Sequence, residues 1–536
     1  MTRRDGALRL GAIGTVVVAL ALAGVANALV RPARPGARAP IRVRPAAVAL
    51  GTDVSSAAWY CPGPLPVGAG APAAAIEVVN LGGRPVRGEV IVHGEHGLIR
   101  TKALAIDVRA SVTVPLPDTG KPTEAAATVL VDRSGVGVQE VVAARASTIS
   151  RLRRPAMASP CLQKAGSTAY LAAGDSRGGD NLDLALYDPG ATPAIANVAL
   201  ATAHGAVAPP AFQGVPVGAG SLVVLDVGRA LPGASVIGTT VSATGGALAT
   251  GAELTMVHGE GIQTALTLAA ARPARQWSLP ATLAGSGTSE SLALYDPGKQ
   301  AASVTLELYG AGGPAEASAT VPAGGVITLQ PAAAAAAAAV RAEAVVVDRG
   351  GPVVVSRQVA AAARPAQPST RYRTVIVKVK RRVHGHLESS GVPHRVLVPN
   401  GPAQPTLLPA LPAGDVAPAA IEGTARHWLL PVADPAPSAG ELVEVANPGD
   451  RPAGVELATI APSGGGRAVL AGLGQLIVPA HGTLSVALAG LLHPAGPAPL
   501  EVTATAPVTA AALDYSDAKQ APGLNMATGI PVIYDR

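Results

Sequence analysis

Seven residues in a row recur unchanged 108 positions apart, as Leu184-Ala-Leu-Tyr-Asp-Pro-Gly190 and Leu292-Ala-Leu-Tyr-Asp-Pro-Gly298. Looser versions stand at Ile76-Glu-Val-Val-Asn-Leu-Gly82 and Val443-Glu-Val-Ala-Asn-Pro-Gly449. A period near 100 residues lets each copy bury a core of its own, so the chain reads as an array of four similar domains. Within the second copy Leu182, Leu184 and Leu186 alternate with Asp183, Ala185 and Tyr187, the period of two of a half-buried strand. Asp-Pro-Gly or Asn-Pro-Gly then ends the strand, proline withdrawing a ladder donor and glycine accepting positive φ.

Each copy opens on an aromatic: Trp59, Tyr170, Trp277 or Trp428. Recurrence at one position suggests a core plug more than a ligand platform. A second alternating run follows in every copy, at Val90/Val92, Val198/Leu200, Val304/Leu306 and Val455/Leu457. Copies one and three share a closing hairpin whose first strand ends Val131-Asp-Arg133 or Val347-Asp-Arg349. Many short strands with frequent turn residues predict an all-β fold, a tandem array of four immunoglobulin-like β-sandwich repeats behind one N-terminal transmembrane helix. The expected division is a signal-anchor helix over 1–30, an Arg/Pro/Ala stalk over 31–57, sandwiches over 58–148, 167–272, 273–364 and 426–536, a linker over 149–166, and a Pro-rich basic insertion over 365–425. The alanine run 332–339 predicts a short surface helix.

Aromatics form only 2% of the chain, with Phe212 the single phenylalanine, so the cores are built from Val, Leu, Ile and Ala. Few aromatic faces remain for stacking on a sugar. The net charge of +6 is unevenly held. Residues 1–50 and 364–395 each carry +7, which leaves −8 on the rest. An acidic body argues against a nucleic-acid partner.

Gly11–Val30 is an apolar run of 20 residues behind Arg3, Arg4 and Arg9, long enough for a helix to cross a bilayer. The reading taken is a single-pass anchor with the body outside the cytoplasm; the alternative is secretion after cleavage near Ala28. Arg31, Arg34, Arg38, Arg42 and Arg44 on the far side oppose that orientation by the positive-inside rule. Cys61 and Cys161 bracket the first sandwich and suggest a disulfide in an oxidising compartment; two unrelated buried thiols are the alternative. Such a bond would stabilise the fold by up to roughly 4.7 kcal/mol.

Inside the insertion, Val375, Val377 and Val379 alternate with Ile376, Lys378 and Lys380, a strand with one basic face. Arg371, Arg373, Lys378, Lys380, Arg381 and Arg382 are the candidate contacts for an anionic partner, against the plainer reading of a solvated edge strand. His384, His386 and His394 lack the carboxylate or thiol support of a metal site, and His93-Gly-Glu-His96 lacks a third ligand. Asp175, Asp180 and Asp183 cluster in one loop, but the third copy keeps only one acid there, so a solvated loop is expected. No Gly-x-Ser-x-Gly, Walker, His-Glu-x-x-His or Cys-x-x-Cys pattern occurs. No catalytic residue, cofactor or metal is expected.

Trp59-Tyr-Cys-Pro-Gly63, the later Cys161, the repeated Asp/Asn-Pro-Gly strand ends and the one hydrophobic segment together resemble an actinobacterial family of secreted or membrane proteins known as domain of unknown function 5719. The likeness spans roughly residues 55–530, and the basic insertion departs from its simple repeat. It implies an envelope location and carries over no catalytic residue. The expected function is a non-enzymatic, membrane-anchored extracytoplasmic scaffold or spacer of the cell envelope, elongated in solution. The alternative is a binding module whose insertion contacts anionic wall glycan, lipid headgroups or an envelope-assembly enzyme. A third reading, an enzyme with a site between modules, would be favoured by an acid or histidine recurring at one position in all four copies, and none recurs.

Overall fold

Alternating Val, Leu and Ala runs cut by Gly and Pro give strands and almost nothing else in the computed structural model. It describes residues 57–531 apart from internal stretches, of which 362–371, 400–413 and 489–498 are the longest. The expected anchor over 1–30, nearly all of the stalk and the alanine run 332–339 lie outside the described residues. Among the described residues no helix is long and apolar enough to cross a membrane.

In the first copy seven strands follow in order: β1 (Ala57–Val67), β2 (Ala74–Asn80), β3 (Val86–Gly94), β4 (Gly97–Ile106), β5 (Ala110–Pro115), β6 (Thr123–Val131) and β7 (Val136–Val142). They form two antiparallel sheets, β1-β6-β3-β4 and β5-β2-β7, and an eighth strand, Met157–Pro160, completes the second. Trp59, Val90 and Val129 of one sheet share a core with Ile76, Val78 and Val138 of the other, which makes the pair a sandwich. The same strand order returns three times, with eighth strands Gly261–Leu268, Gly414–Val416 and Gly523–Thr528. In the fourth copy one strand, Leu500–Ser516, does the work of the sixth and seventh, pairing in one sheet and then in the other. Pairing of strand two with five and of three with six is shared with immunoglobulin sandwiches; pairing of one with six and of seven with two is not.

Several expectations change. The closing hairpin is a crossing: β6 and β7 lie in opposite sheets, and the turn after Asp132-Arg133 carries the chain from one to the other. The linker over 149–166 contains the first copy's eighth strand, and the insertion over 365–425 contains the third copy's. Trp59, Trp277 and Trp428 are buried core plugs facing Val129, Val345 and Val502 across the ladder. Tyr170 is not their equivalent. It pairs with Thr240 as Tyr60 pairs with Thr128, so the position of the tryptophan is taken by Ala169, opposite Val241. A slip of one residue turns a side chain to the other face of a strand. The second core, lacking that indole, contains Phe212 instead.

The strand expected to be half-buried is buried on both faces: Ala185 and Tyr187 are as inaccessible as Leu184 and Leu186. The reason is that the copies are stacked and are not separate beads. The outer face of the second copy's strand Asn181–Asp188 lies on the β1/β6 face of the first, with Ala185, Tyr187, Leu222 and Ala249 packed on Ala126 and Tyr60. The third copy repeats this on the second through Tyr295, Val326 and Val354 against Ala172 and Tyr170. The fourth stacks on the third through Ala439–Asn447 and Gly482–Ala487 against Gln276–Pro280 and Ala302–Gly310. The first then stacks on the fourth, whose Leu429, Ile460 and Ile530 join the first copy's hydrophobic cluster. The four eighth strands touch one another in the same cyclic order. Residues 45–536 therefore form one compact unit, which corrects the expectation of an elongated string.

Candidate functional site

The strand ends are built alike in all four copies. Asn80, Asp188, Asp296 and Asn447 each accept, through Oδ1, the N–H of the glycine two residues on, at 2.9, 2.8, 2.7 and 3.0 Å. This Asx turn explains why the motif needs Asp or Asn followed by glycine. In two copies the residue before it is a tyrosine that reaches across a seam. Tyr187 Oη lies 2.6 Å from Thr128 Oγ1 and 2.7 Å from His93 Nδ1 of the first copy. Tyr295 Oη lies 2.7 Å from Thr240 Oγ1 of the second. Burial raises both phenols and lowers His93, so the neutral forms hold these bonds. His93 thus serves the seam, not the His-x-x-His pair.

A cleft of about 420 Å³ opens at the seam between copies two and three. Asp175, Arg177 and Asp180 line it from one side, and Glu290, Arg357 and Gln358 from the other. Its acids are tied down: Asp175 pairs with Arg177 at 2.6 Å, and Asp180 accepts Val257 N–H at 2.6 Å. The third acid of the loop, Asp183, accepts from Asn181 Nδ2 at 3.0 Å. Arg357, nearly fully buried, meets Glu290 at 2.6 Å and donates to the Leu279 carbonyl at 2.8 Å. Burial raises the Glu290 carboxyl against the opposing pull of Arg357. Guanidinium and carboxylate are thus matched to each other in the wall of the cleft.

At the open edge of the first sandwich Cys61 and Cys161 form a disulfide, with Cα atoms 4.6 Å apart. It joins β1 to the residue that follows the eighth strand, so one edge of each sheet is tied to the other. Glu140 on β7 is buried beside it and accepts Gly63 N–H at 3.1 Å. Burial pushes its carboxyl up to about 8. On the outer face of the same sheet Glu77 is also buried, accepts from Gln139 Nε2, and is likewise pushed up to about 8. Sequence reasoning passed over both glutamates, although acids inside otherwise valine-rich strands were the available cue.

Of the basic candidates, Arg371 and Lys378 lie outside the described residues. Arg373 is on the strand Tyr372–Val377, which pairs with His394–Pro399; Lys380, Arg381 and Arg382 are on Lys380–Val383, which pairs with His386–Ser389. The insertion has antiparallel strand pairs at these positions, and the strand expected over 375–380 falls partly on residues outside the described ones.

Residues 118–382 match the model of a family described as a family of unknown function (DUF5719). No curated protein matches. One solved structure, titled "Crystal structure of tetra-tandem repeat in extending region of large adhesion protein", is 11% identical over 83% of this chain and 90% of that one, with a TM-score of 0.10, too low to carry any argument. The family match is narrower than the 55–530 of the resemblance, and it runs from the end of the first copy through the second and third into the basic hairpin. Over residues 118–382 the chain is thus similar to the family of unknown function DUF5719.

Proposed function

We propose that the chain is a non-enzymatic extracytoplasmic scaffold of the cell envelope, held at the membrane by residues 1–30 and built on four immunoglobulin-like sandwich repeats fused into one rigid body. The observation that carries the reading is that each copy spends both of its outer sheet faces on its neighbours, which is how a protein gains stiffness and not how it frees a mobile active site. Equivalent positions also differ between copies where a shared chemistry would keep them alike: Glu140, Ala252, Arg357 and Ala512 occupy one site of the ladder. The spacer variant is dropped, because stacked copies do not extend. Fractionation of cells, with intact-mass analysis of the chain from membrane and culture fluid, tests the proposal. Retention in the membrane with residues 1–30 present is expected; a cytosolic pool would sink it.

A second reading, contact with an anionic envelope partner, is favoured by one feature. The hairpin leaves the body at the pair Ala361 and Gly414, and the arginine-bearing pair Arg145–Ala146/Arg153–Arg154 leaves it at Val142 and Met157. These are equivalent positions on the seventh and eighth strands of their copies, so two basic segments are joined to an acidic body at equivalent points. Deletion of residues 365–400 should lower retention on vesicles rich in anionic lipid; unchanged retention ends this reading.

A further inference from the structure

Three features occur together in the first copy, and the fold requires none of them. Cys61 and Cys161 are one. The second is Glu140, whose ladder equivalents in the other copies are Ala252, Arg357 and Ala512, so no acid is needed there for the sandwich to form. The third is an irregularity in β1 between Cys61 and Leu65, across Pro62-Gly63-Pro64, which aims the Gly63 N–H at the Glu140 carboxylate. Bulges of this kind gather where a strand must re-aim groups toward a site. Both sulfurs and a Glu140 oxygen lie within 4.8 Å of one another, and all three residues are buried. A disulfide has no need of a buried carboxylate beside it, and burying one is unfavourable.

We propose that Cys61, Cys161 and Glu140 form a latent site for a thiophilic divalent cation of the Zn²⁺ type, filled when the disulfide is reduced, so that metal and disulfide are alternative closures of the same sandwich edge. A tetrahedral cation with sulfur bonds of about 2.3 Å holds its ligands about 3.8 Å apart; the two sulfurs, bonded to each other in the disulfide, must part to reach that spacing on reduction, while a Glu140 oxygen already lies within 4.8 Å of both. The residue types suit it: two thiolates and a carboxylate match Zn²⁺ or Cd²⁺ and poorly match Mg²⁺ or Ca²⁺. The chemistry balances. A dithiol reductant breaks the Cys61–Cys161 bond and closes to its own disulfide, passing two hydrogens to the sulfurs. Cation binding then releases those two protons, and a third from Glu140 where it is protonated. Gly63 N–H holds the carboxylate toward the sulfurs in either state.

The test uses the full chain, reduced with a dithiol under nitrogen, freed of reductant and titrated with Cd²⁺, whose thiolate bonds absorb in the ultraviolet. One Cd²⁺ per reduced chain is expected and none for the oxidised chain, with Zn²⁺ displacing it and raising the melting temperature of the reduced form. Cys61→Ser should abolish the absorption, and Glu140→Gln should weaken binding at least tenfold while leaving the oxidised protein folded. Reduced wild type binding no more Cd²⁺ than Cys61→Ser overturns the proposal, as does Glu140→Gln binding as tightly as wild type. Loss of the fold on reduction, read by circular dichroism, overturns it too, because the site depends on the folded edge.

Discussion

Tyr187 shows how much one hydroxyl can hold when both faces of a strand are covered. Its Oη serves Thr128 and His93 at once, from a side chain that the seam buries completely. Tyr187→Phe keeps the ring and strips both bonds, leaving a buried hydroxyl and an imidazole nitrogen without their partner. The expected loss is about 1–3 kcal/mol, against about 1 kcal/mol for Tyr295→Phe, which loses only Thr240. The two seams are separate, so the double variant should lose their sum in chemical denaturation. Glu77 makes a different prediction, about pH. Below about 4.5, its ordinary value, the carboxyl is protonated in folded and unfolded chains alike and does not affect stability. Between 4.5 and about 8 the unfolded chain releases the proton while burial keeps it on the folded one. The folded state then loses up to about 1.4 kcal/mol per pH unit through this group as the pH rises. Glu77→Gln should therefore flatten the stability profile across that window, in urea titrations run from pH 5 to pH 8; an unchanged slope would mean that Glu77 is ionised in the folded protein.

At the scale of strands, the seam between copies two and three depends on a glycine. A Cβ on Gly238 would stand 2.6 Å from Tyr295 Cδ2 and 2.7 Å from its Cγ, so the ring seats on bare backbone. Gly238→Val is expected to cost about 1–3 kcal/mol or more by overpacking, while Gly83→Ala, with open space around it, should change little; paired thermal melts check both. The same strands mark what could be read from the chain alone. The runs at Val90/Val92 and Val304/Leu306, and the Asp/Asn-Pro-Gly ends, are local patterns, and each became the strand or turn it implied. Tyr170 was misaligned because a strand's facing is set by its ladder partner, and Thr240 is 70 residues away. The path from β6 to β7 was misread because a hairpin and a crossing look the same when both are strand, turn, strand. Ala185 gave no hint of its seam, since a small apolar residue fits a solvated face and a covered one equally well. The cleft beside Arg357 was illegible because its walls come from two different copies, whereas Glu140 stood out as an acid in a valine-rich strand but its partners Cys61 and Gly63 lie some 77 residues or more away.

The whole molecule follows from closing the cycle. A linear array of four sandwiches would leave one sheet face bare at each end, and here those are the outer face of β2 and β7 and the face that carries Leu429. They cover each other: a Cβ on Gly137 would run into Leu429 Cδ2, so the leucine fills the space the glycine leaves. Among the described residues the four sandwiches thereby stack in a closed cycle. Closure means that no single seam is indispensable, the one between the fourth and first copies included. Breaking it leaves every copy still held by at least one neighbour, so the ring can open without unfolding. Leu429→Asp sets a carboxylate against Gly137, on a surface that also buries Glu77, and is expected to cost about 2–5 kcal/mol, all of it at this seam. Small-angle scattering should then show a larger radius of gyration, and limited proteolysis should cut between the copies. The Cys61–Cys161 bond and the strand content should stay as they were. A variant with unchanged scattering and full resistance would show that the ends are held by some contact other than this leucine on this glycine.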